Sequence, residues 1–405
     1  MVFSSNRAEI DRSMGALAPW LRGTSRKALS GLAGAVALSV ALAGSALGQE
    51  AGEVEEPPSS PAEAVAESVE AVVEDPAAGW TVQIAAELGE KLGCVAVGDV
   101  NPSSPGNEIV ALGASGNVYV VSFRNGAWSH EVALKLPGEM IQCAVGDLYP
   151  EIPGDEIAVV GMAVGGESAG GAGAAHVIVR DGDGWRADEV YRSPALLHAV
   201  AIGSFAPTPG RDIMVAGFAE EALALVRGDH GWEAQDGVRL PGAGKSAVTF
   251  RGGVAIACTD GSVVKVRGTT AGWVSTEVDK VSAGRARIAC DGERLLVAGD
   301  DGALVLVAGG TSGWLYKSDD KLRGAVMSPL DRFAGPSSFA TAGYDGQVVV
   351  LRFTAEGLRP VVVASDSDRL HHLTAGELPV RADGNALVTC GYSGRVLVIT
   401  APETR

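Results

Sequence analysis

The sequence predicts an all-β fold: a seven-bladed β-propeller of four-stranded blades, closed by an N-terminal strand in the last blade. Three features running in step predict it. A Gly-Trp or near-equivalent recurs at Trp80, Trp128, Trp185, Trp232, Trp273 and Trp314, with Leu358 in a seventh matching place, at spacings of 41 to 57 residues. That is the period of a four-stranded blade. A short glycine turn precedes an alternating apolar strand in ASGNVYVV (114–121), TDGSVVKV (259–266), DDGALVLV (300–307), YDGQVVVL (344–351) and YSGRVLVI (392–399), a tight-hairpin signal. Early in the repeat, GDVNPSSPGNEIV (98–110), GDLYPEIPGDEIA (146–158) and GSFAPTPGRDIMV (203–215) are copies of one another.

Before the repeats, residues 1–48 read as an export signal. Arg7, Arg12, Arg22, Arg26 and Lys27 precede a run of small apolar residues from Ala28 to Gly48 that ends in Ala46-Leu47-Gly48, and cleavage is expected after Gly48. An uncleaved membrane anchor is the competing reading, because about 20 apolar residues span a bilayer. Ser25-Arg26-Lys27-Ala28-Leu29 resembles a twin-arginine export motif, with Lys27 in place of the second arginine. Residues 49–78 hold nine acidic residues, no basic one and several prolines. Self-repulsion predicts an extended, disordered spacer.

Residues 79–405 carry the blades. In the first unit strand A is CVAVG (94–98), strand B EIVALG (108–113), strand C NVYVV (117–121), and strand D begins at Trp128. Strand A starts near Gly93, Ile141, His198, Ser246, Ala286, Gly324 and His371. The chain ends after strand C of the seventh unit, so GWTVQIAA (79–86) is expected to supply the missing strand D and remove the free sheet edges. A solenoid would need capping ends, and none is visible. The recurrent Trp reads as a filler between sheets with its N–H on a turn carbonyl. MAVGGESAGGAGAAH (162–176) is an insertion in the second unit, expected to be a loop on the hairpin face.

The fragments GDVNPSSPGNEIV and GDLYPEIPGDEIA resemble FG-GAP-type propeller repeats, and the DG-turn hairpins resemble WD-repeat propellers. The resemblance implies a propeller scaffold and, for FG-GAP repeats, calcium. The loops here lack the alternating carboxylates a hard cation needs: Asp99 is followed by Asn101 and Pro102, and Asp147 by Tyr149 and Pro150. The Trp-Asp dipeptide of WD repeats is also missing. No metal and no cofactor is expected.

On a propeller frame the D–A connections and B–C hairpins share one face. Lys245, Arg285 and Arg323 read as one position at the start of strand A in blades four, five and six. Arg369 precedes the strand of blade seven, His371 and His372 open it, and His198 opens the strand of blade three. This basic arc sits on a chain with net charge −17. It is expected to bind an anion, either a small carboxylate or phosphate or an acidic stretch of a protein partner. The competing expectation pairs each base with a hairpin acid (Asp260, Asp300, Asp301, Asp345) in salt bridges of little worth. His371 and His372 point to opposite faces of a strand and cannot both be metal ligands. His130, His176 and His230 have no role.

Asp99, Asp147 and Glu377 each follow strand A and form the only recurrent acids with a catalytic reading, as channel carboxylates of a polysaccharide lyase or hydrolase. The alternative is a turn residue that fixes the A–B loop. The five cysteines, Cys94, Cys143, Cys258, Cys290 and Cys390, lie in apolar strands as small buried residues. Cys94 and Cys143 lie on adjacent inner strands but differ in register by one residue, which is expected to turn their side chains apart and to disfavour, without forbidding, a disulfide between them. The net negative charge argues against nucleic acid as a ligand. The chain thus reads as an exported, monomeric, non-enzymatic binding or protein-interaction platform. Its address is periplasmic or extracellular in a bacterium, or membrane-anchored if the signal is uncut.

Overall fold

The structure is a computed structural model that describes residues 79–402 except 165–170, 183, 207–209, 282–283, 331–337, 355–356 and 382–384. The expected signal (1–48), the expected spacer (49–78) and the middle of the second-unit insertion lie outside the described residues. All described residues belong to one compact unit. They contain twenty-nine strands and no helix.

Seven antiparallel sheets follow in chain order. Blade 1 comprises β2 (Leu92–Gly98), β3 (Glu108–Gly113), β4 (Asn117–Arg124) and β5 (Ala127–Lys135). Blade 2 comprises β6 (Met140–Gly146), β7 (Glu156–Met162), β8 (Gly173–Asp181) and β9 (Gly184–Ser193). Blade 3 comprises β10 (Leu197–Gly203), β11 (Asp212–Gly217), β12 (Glu221–Gly228), β13 (Gly231–Ala234) and β14 (Val238–Arg239). Blades 4 and 5 are β15 (Gly244–Thr249) to β18 (Gly272–Lys280) and β19 (Arg285–Cys290) to β22 (Thr311–Lys317). Blade 6 is β23 (Leu322–Ser328) to β26 (Gly357–Ser365). Blade 7 is β27 (Leu370–Gly376), β28 (Ala386–Gly391), β29 (Arg395–Thr400) and the N-terminal β1 (Thr81–Glu87).

The expected closure is present. β1 pairs with β29 from Thr81↔Thr400 to Glu87↔Arg395. Each inner strand touches the next around the circle, and β27 touches β2. Blade 3 departs from the four-strand expectation. Its outer strand is broken at Gln235-Asp236-Gly237 into β13 and β14, and both pieces pair with β12. Gln235 N–H still donates to Ala224 O (2.9 Å), and the ladder resumes at Val238 opposite Ala222.

The core lies between blades. Cys94, Val110, Leu112, Val118 and Val120 of blade 1 pack with Cys143, Ile157, Val159 and Ile178 of blade 2. Second strands are covered on both faces, so all residues of β3, β11, β20, β24 and β28 are buried. Their near-continuous apolar runs follow from that double coverage. Outer strands such as β5 are largely exposed and correspondingly polar.

Three of the recurrent Trp side chains bridge neighbouring blades at the outer rim, with a correction to the expected hydrogen bond, whereas Trp80 Nε1 is buried without a partner among the described residues and Trp314 is exposed. Trp128 Nε1 donates to Gln83 Oε1 (2.9 Å), Trp185 Nε1 to Glu131 Oε1 (3.0 Å) and Trp232 Nε1 to the Tyr149 hydroxyl (2.8 Å). The acceptors are side chains of the preceding blade rather than turn carbonyls. The copied A–B loops have a common clamp. The first residue of strand B is a buried acid, and its carboxylate accepts loop N–H groups: Glu108 from Asn101, Glu156 from Leu148 and Tyr149, Asp212 from Phe205 and Ala206.

One irregularity repeats in all seven blades. The pairing of strand A with strand B slips by one residue at Gly93, Ile141, His198, Lys245, Ala286, Arg323 and His371. A bulge leaves the extra residue out of the ladder and re-aims its side chain. Seven such residues therefore ring the mouth of the channel at the hairpin face.

Candidate functional site

The bulges place the sequence-predicted residues. His198, Lys245, Arg323 and His371 occupy the equivalent bulge position in blades 3, 4, 6 and 7. Arg285 does not share it, a correction to the reading that aligned it with Lys245 and Arg323. Its register partner is Gly299, which puts it in the place held by Leu92, Leu197, Leu322 and Leu370 in other blades. Arg285 is 1% exposed, and its Nη2 pairs with Asp279 Oδ2 at 2.8 Å. Arg369 precedes Leu370 on the exposed rim, with its guanidinium over Tyr344, 5.2 Å from the ring centre.

The residue that the register brings in instead is Arg287, one step beyond the bulge in blade 5. It is 3% exposed and lines the central channel, a cavity of about 400 Å³. Its Nη1 donates to Ala286 O (2.8 Å) and its Nη2 to His371 O (3.4 Å), so the side chain reaches from blade 5 to blade 7. Blade 6 offers only Gly324 at the corresponding step. Arg287 Nε is buried without a hydrogen-bond partner. Among the described residues no carboxylate pairs with Arg287 or Lys245, and the channel lining contains no Asp or Glu. The signal in the sequence was a second arginine inside an otherwise apolar inner strand, RARIAC.

Electrostatics at the mouth are governed by burial and like charge. Burial, then Arg287 and Arg323, bring the Lys245 ammonium down to about 8. Burial lowers Arg287 to about 10, opposed by the Cys94 thiol and reinforced by Arg323. The two bulge histidines are held neutral. Burial and then Arg287 take His371 down to about 3, while burial and then Lys245 hold His198 well below the usual imidazole range. In each, Nδ1 lies 2.9 Å from the bulge carbonyl of the next blade, Gly93 O for His371 and Lys245 O for His198. A neutral ring donating there leaves Nε2 as an acceptor.

Aromatic rings form one side of the mouth. His371 stacks on Tyr392 (5.6 Å, 22°) and on Tyr344 (6.2 Å, 27°). Lys91 lies over Tyr392 at 5.0 Å and Arg323 over Tyr344 at 4.9 Å. Lys91, Tyr344 and Tyr392 sit on the turns around the mouth, and sequence spacing alone did not connect them. The hairpin acids are engaged elsewhere in part. Asp300 pairs with Arg323 (2.5 Å), Asp260 with Lys280 (3.0 Å) and Asp301 with Lys317 (3.7 Å), while Asp345 takes the Ser318 hydroxyl (3.2 Å). The expected pairing of bases with hairpin acids thus holds for Arg323 and not for Lys245.

Asp99, Asp147 and Glu377 follow strand A at the far face, away from this mouth. The A–B loop is clamped by the strand-B acids described above, not by Asp99 or Asp147, and Glu377 is exposed.

This ring of seven WD-repeat-like blades has a counterpart among solved structures. The WD40 β-propeller domain of Doa1 is similar to it, with a TM-score of 0.58 over 79% of this chain and 96% of that one. Identity is 10%, so the likeness is one of fold. No protein-family model matches the chain, and no curated protein matches it.

Proposed function

We propose that the protein is an exported, non-enzymatic binding platform that holds an anionic group at the hairpin-face mouth of its channel. The ligand set is Arg287 and Lys245, with Arg323 beside them and Arg369 on the rim. His198 and His371, neutral and with Nδ1 on backbone carbonyls, shape the mouth without donating to the anion. Arg285 is left out because it lies off the bulge position, buried in a leucine's place and paired with Asp279. One observation carries the reading: Arg287 is buried, its Nε is unpartnered, and no carboxylate pairs with it among the described residues. A buried charge without a counterion costs several kcal/mol. A carboxylate or phosphate between Arg287 and Lys245 would supply that counterion and strong charge-assisted hydrogen bonds. A closed propeller supports such a role, since its ring of turns presents many side chains to one ligand. The aromatic edge formed by Tyr344, Tyr392 and His371 favours an acidic segment of a protein partner as the source of that anion.

The test is calorimetric titration of the purified protein with a hexaglutamate peptide and, separately, with inorganic phosphate. Arg287→Met and Lys245→Met are each expected to weaken binding at least about tenfold, worth about 1.4 kcal/mol. Circular dichroism checks that each variant folds. Binding that survives in both folded variants, or no binding by the parent protein, overturns the reading. The proposed periplasmic or extracellular address is supported by the basic and apolar pattern of residues 1–48. Cell fractionation with N-terminal sequencing checks it, with Gln49 expected as the first residue.

A further inference from the structure

Two cysteines expected to turn apart face one another. Cys94 is one residue past the bulge of β2, and Cys143 is two past the bulge of β6. Neighbouring sheets present opposite faces to the layer between them, so side chains one step out of register are the ones that meet there. Both cysteines accordingly lie in the apolar layer between blades 1 and 2. Their sulfurs are 3.6 Å apart, and both are free thiols. Cys94 Sγ also accepts the Cys143 backbone N–H at 3.4 Å. Burial by itself would raise the Cys94 thiol. The facing Cys143 thiol, the His372 imidazole and the Cys143 N–H outweigh burial and hold it well below the ordinary thiol range. Cys143 and His372 both line the central channel, which gives a small reagent a route to the pair. Cys258 and Cys290 are not on that layer, and Cys390 lies in the layer between blades 7 and 1.

We propose that Cys94 and Cys143 form a redox-responsive dithiol that closes into an inter-blade disulfide when a hydroperoxide enters the channel. The facing Cys94 and burial raise the Cys143 thiol, so Cys143 first passes its proton to the Cys94 sulfur across the 3.6 Å contact. The Cys143 thiolate then attacks the terminal oxygen of a hydroperoxide. The O–O bond breaks, Cys143 becomes a sulfenic acid, and the peroxide is reduced to water or an alcohol. The Cys94 sulfur then attacks the Cys143 sulfur. The S–O bond breaks as the S–S bond forms, and hydroxide leaves with the Cys94 proton as a second water. The sulfurs must approach from 3.6 Å to about 2.05 Å. The geometry of the pair does not rest on the anion reading, although Cys94 lies close enough to act on Arg287.

The experiment treats the full-length protein with hydrogen peroxide, then counts thiols under denaturing conditions and maps tryptic peptides. The parent chain carries five free thiols. The expected result is loss of two of them, with one cross-linked peptide pair joining Cys94 to Cys143, reversed by dithiothreitol. In Cys94→Ser the Cys143 sulfenic acid is expected to persist and to be trapped by dimedone. An unchanged thiol count, a cross-link through Cys390, or oxidation of Cys143 to sulfinic acid with no cross-link in the parent chain would each overturn the proposal. Hexaglutamate titration of the oxidised and reduced forms reads the anion site separately.

Discussion

At the scale of single residues, backbone geometry and charge set the sharpest expectations. Gly302 in the blade 5 hairpin has φ +79°, and a Cβ there would lie 2.2 Å from Ser318 O. Gly302→Ala is expected to lower stability by about 2–4 kcal/mol, read by urea denaturation. In blade 3 the equivalent turn position is Glu220, whose φ is 54° and whose carbonyl accepts Leu240 N–H as Gly302 O accepts Ser318 N–H. Glu220→Gly removes the left-handed strain and is expected to gain about 1 kcal/mol. Lys245 gives a pH dependence. Its folded value of about 8 lies below the ordinary 10.5, so the folded state gives up the proton first. Stability is therefore expected to rise between about pH 8 and 10.5, by about 3 kcal/mol, and Lys245→Met should remove that rise. Affinity for hexaglutamate should fall over the same onset, as the ammonium discharges above about pH 8.

At the scale of elements, the clamped A–B loops and the bulged inner strands differ in how far they could be read in advance. The loops were legible as copies, because proline, glycine and acid recur at fixed offsets. The acid that works was misassigned. Asp99 follows the strand, but Glu108 carries the hydrogen bond to the loop. Burial raises Glu108 to about 7, against 4.5 in the ordinary case. A raised carboxyl favours the folded state when protonated, so its contribution is full below about pH 4.5 and lost as pH rises through about 7. Glu108→Gln is expected to flatten that decline in a thermal-melt series, while Glu108→Ala should cost about 1–3 kcal/mol below about pH 4.5 and less as pH rises through about 7. The bulges were illegible for a physical reason. A one-residue slip in pairing leaves no mark in composition or alternation, yet it turns every later side chain. It moved Arg285 into a leucine's place, brought Arg287 to the channel and set Cys94 against Cys143. The blade count needed only periodicity; the site needed register.

At the scale of the whole molecule, the ring rests on β1. Deleting residues 79–87 leaves β29 as an unpaired edge and uncovers the layer in which Ala85 and Ala86 pack against Val396 and Val398. The truncated chain is expected to unfold at lower temperature and to associate with itself as concentration rises, measured by scanning calorimetry and analytical ultracentrifugation. This closure was legible in the sequence because a missing outer strand at one end matched a surplus strand at the other. What lies across the channel was not, since Arg287 and His371 are 84 residues apart and meet only once the circle is drawn.

The seven slipped positions have a consequence for how such a protein changes over time. Each side chain there sits outside the ladder hydrogen bonds of its sheet, so swapping its chemistry leaves the scaffold intact. Glycine, isoleucine, alanine, histidine, lysine and arginine already share the seven sockets. The wheel behaves as a keypad: its frame is constant, and new specificities are typed in at the rim one key at a time.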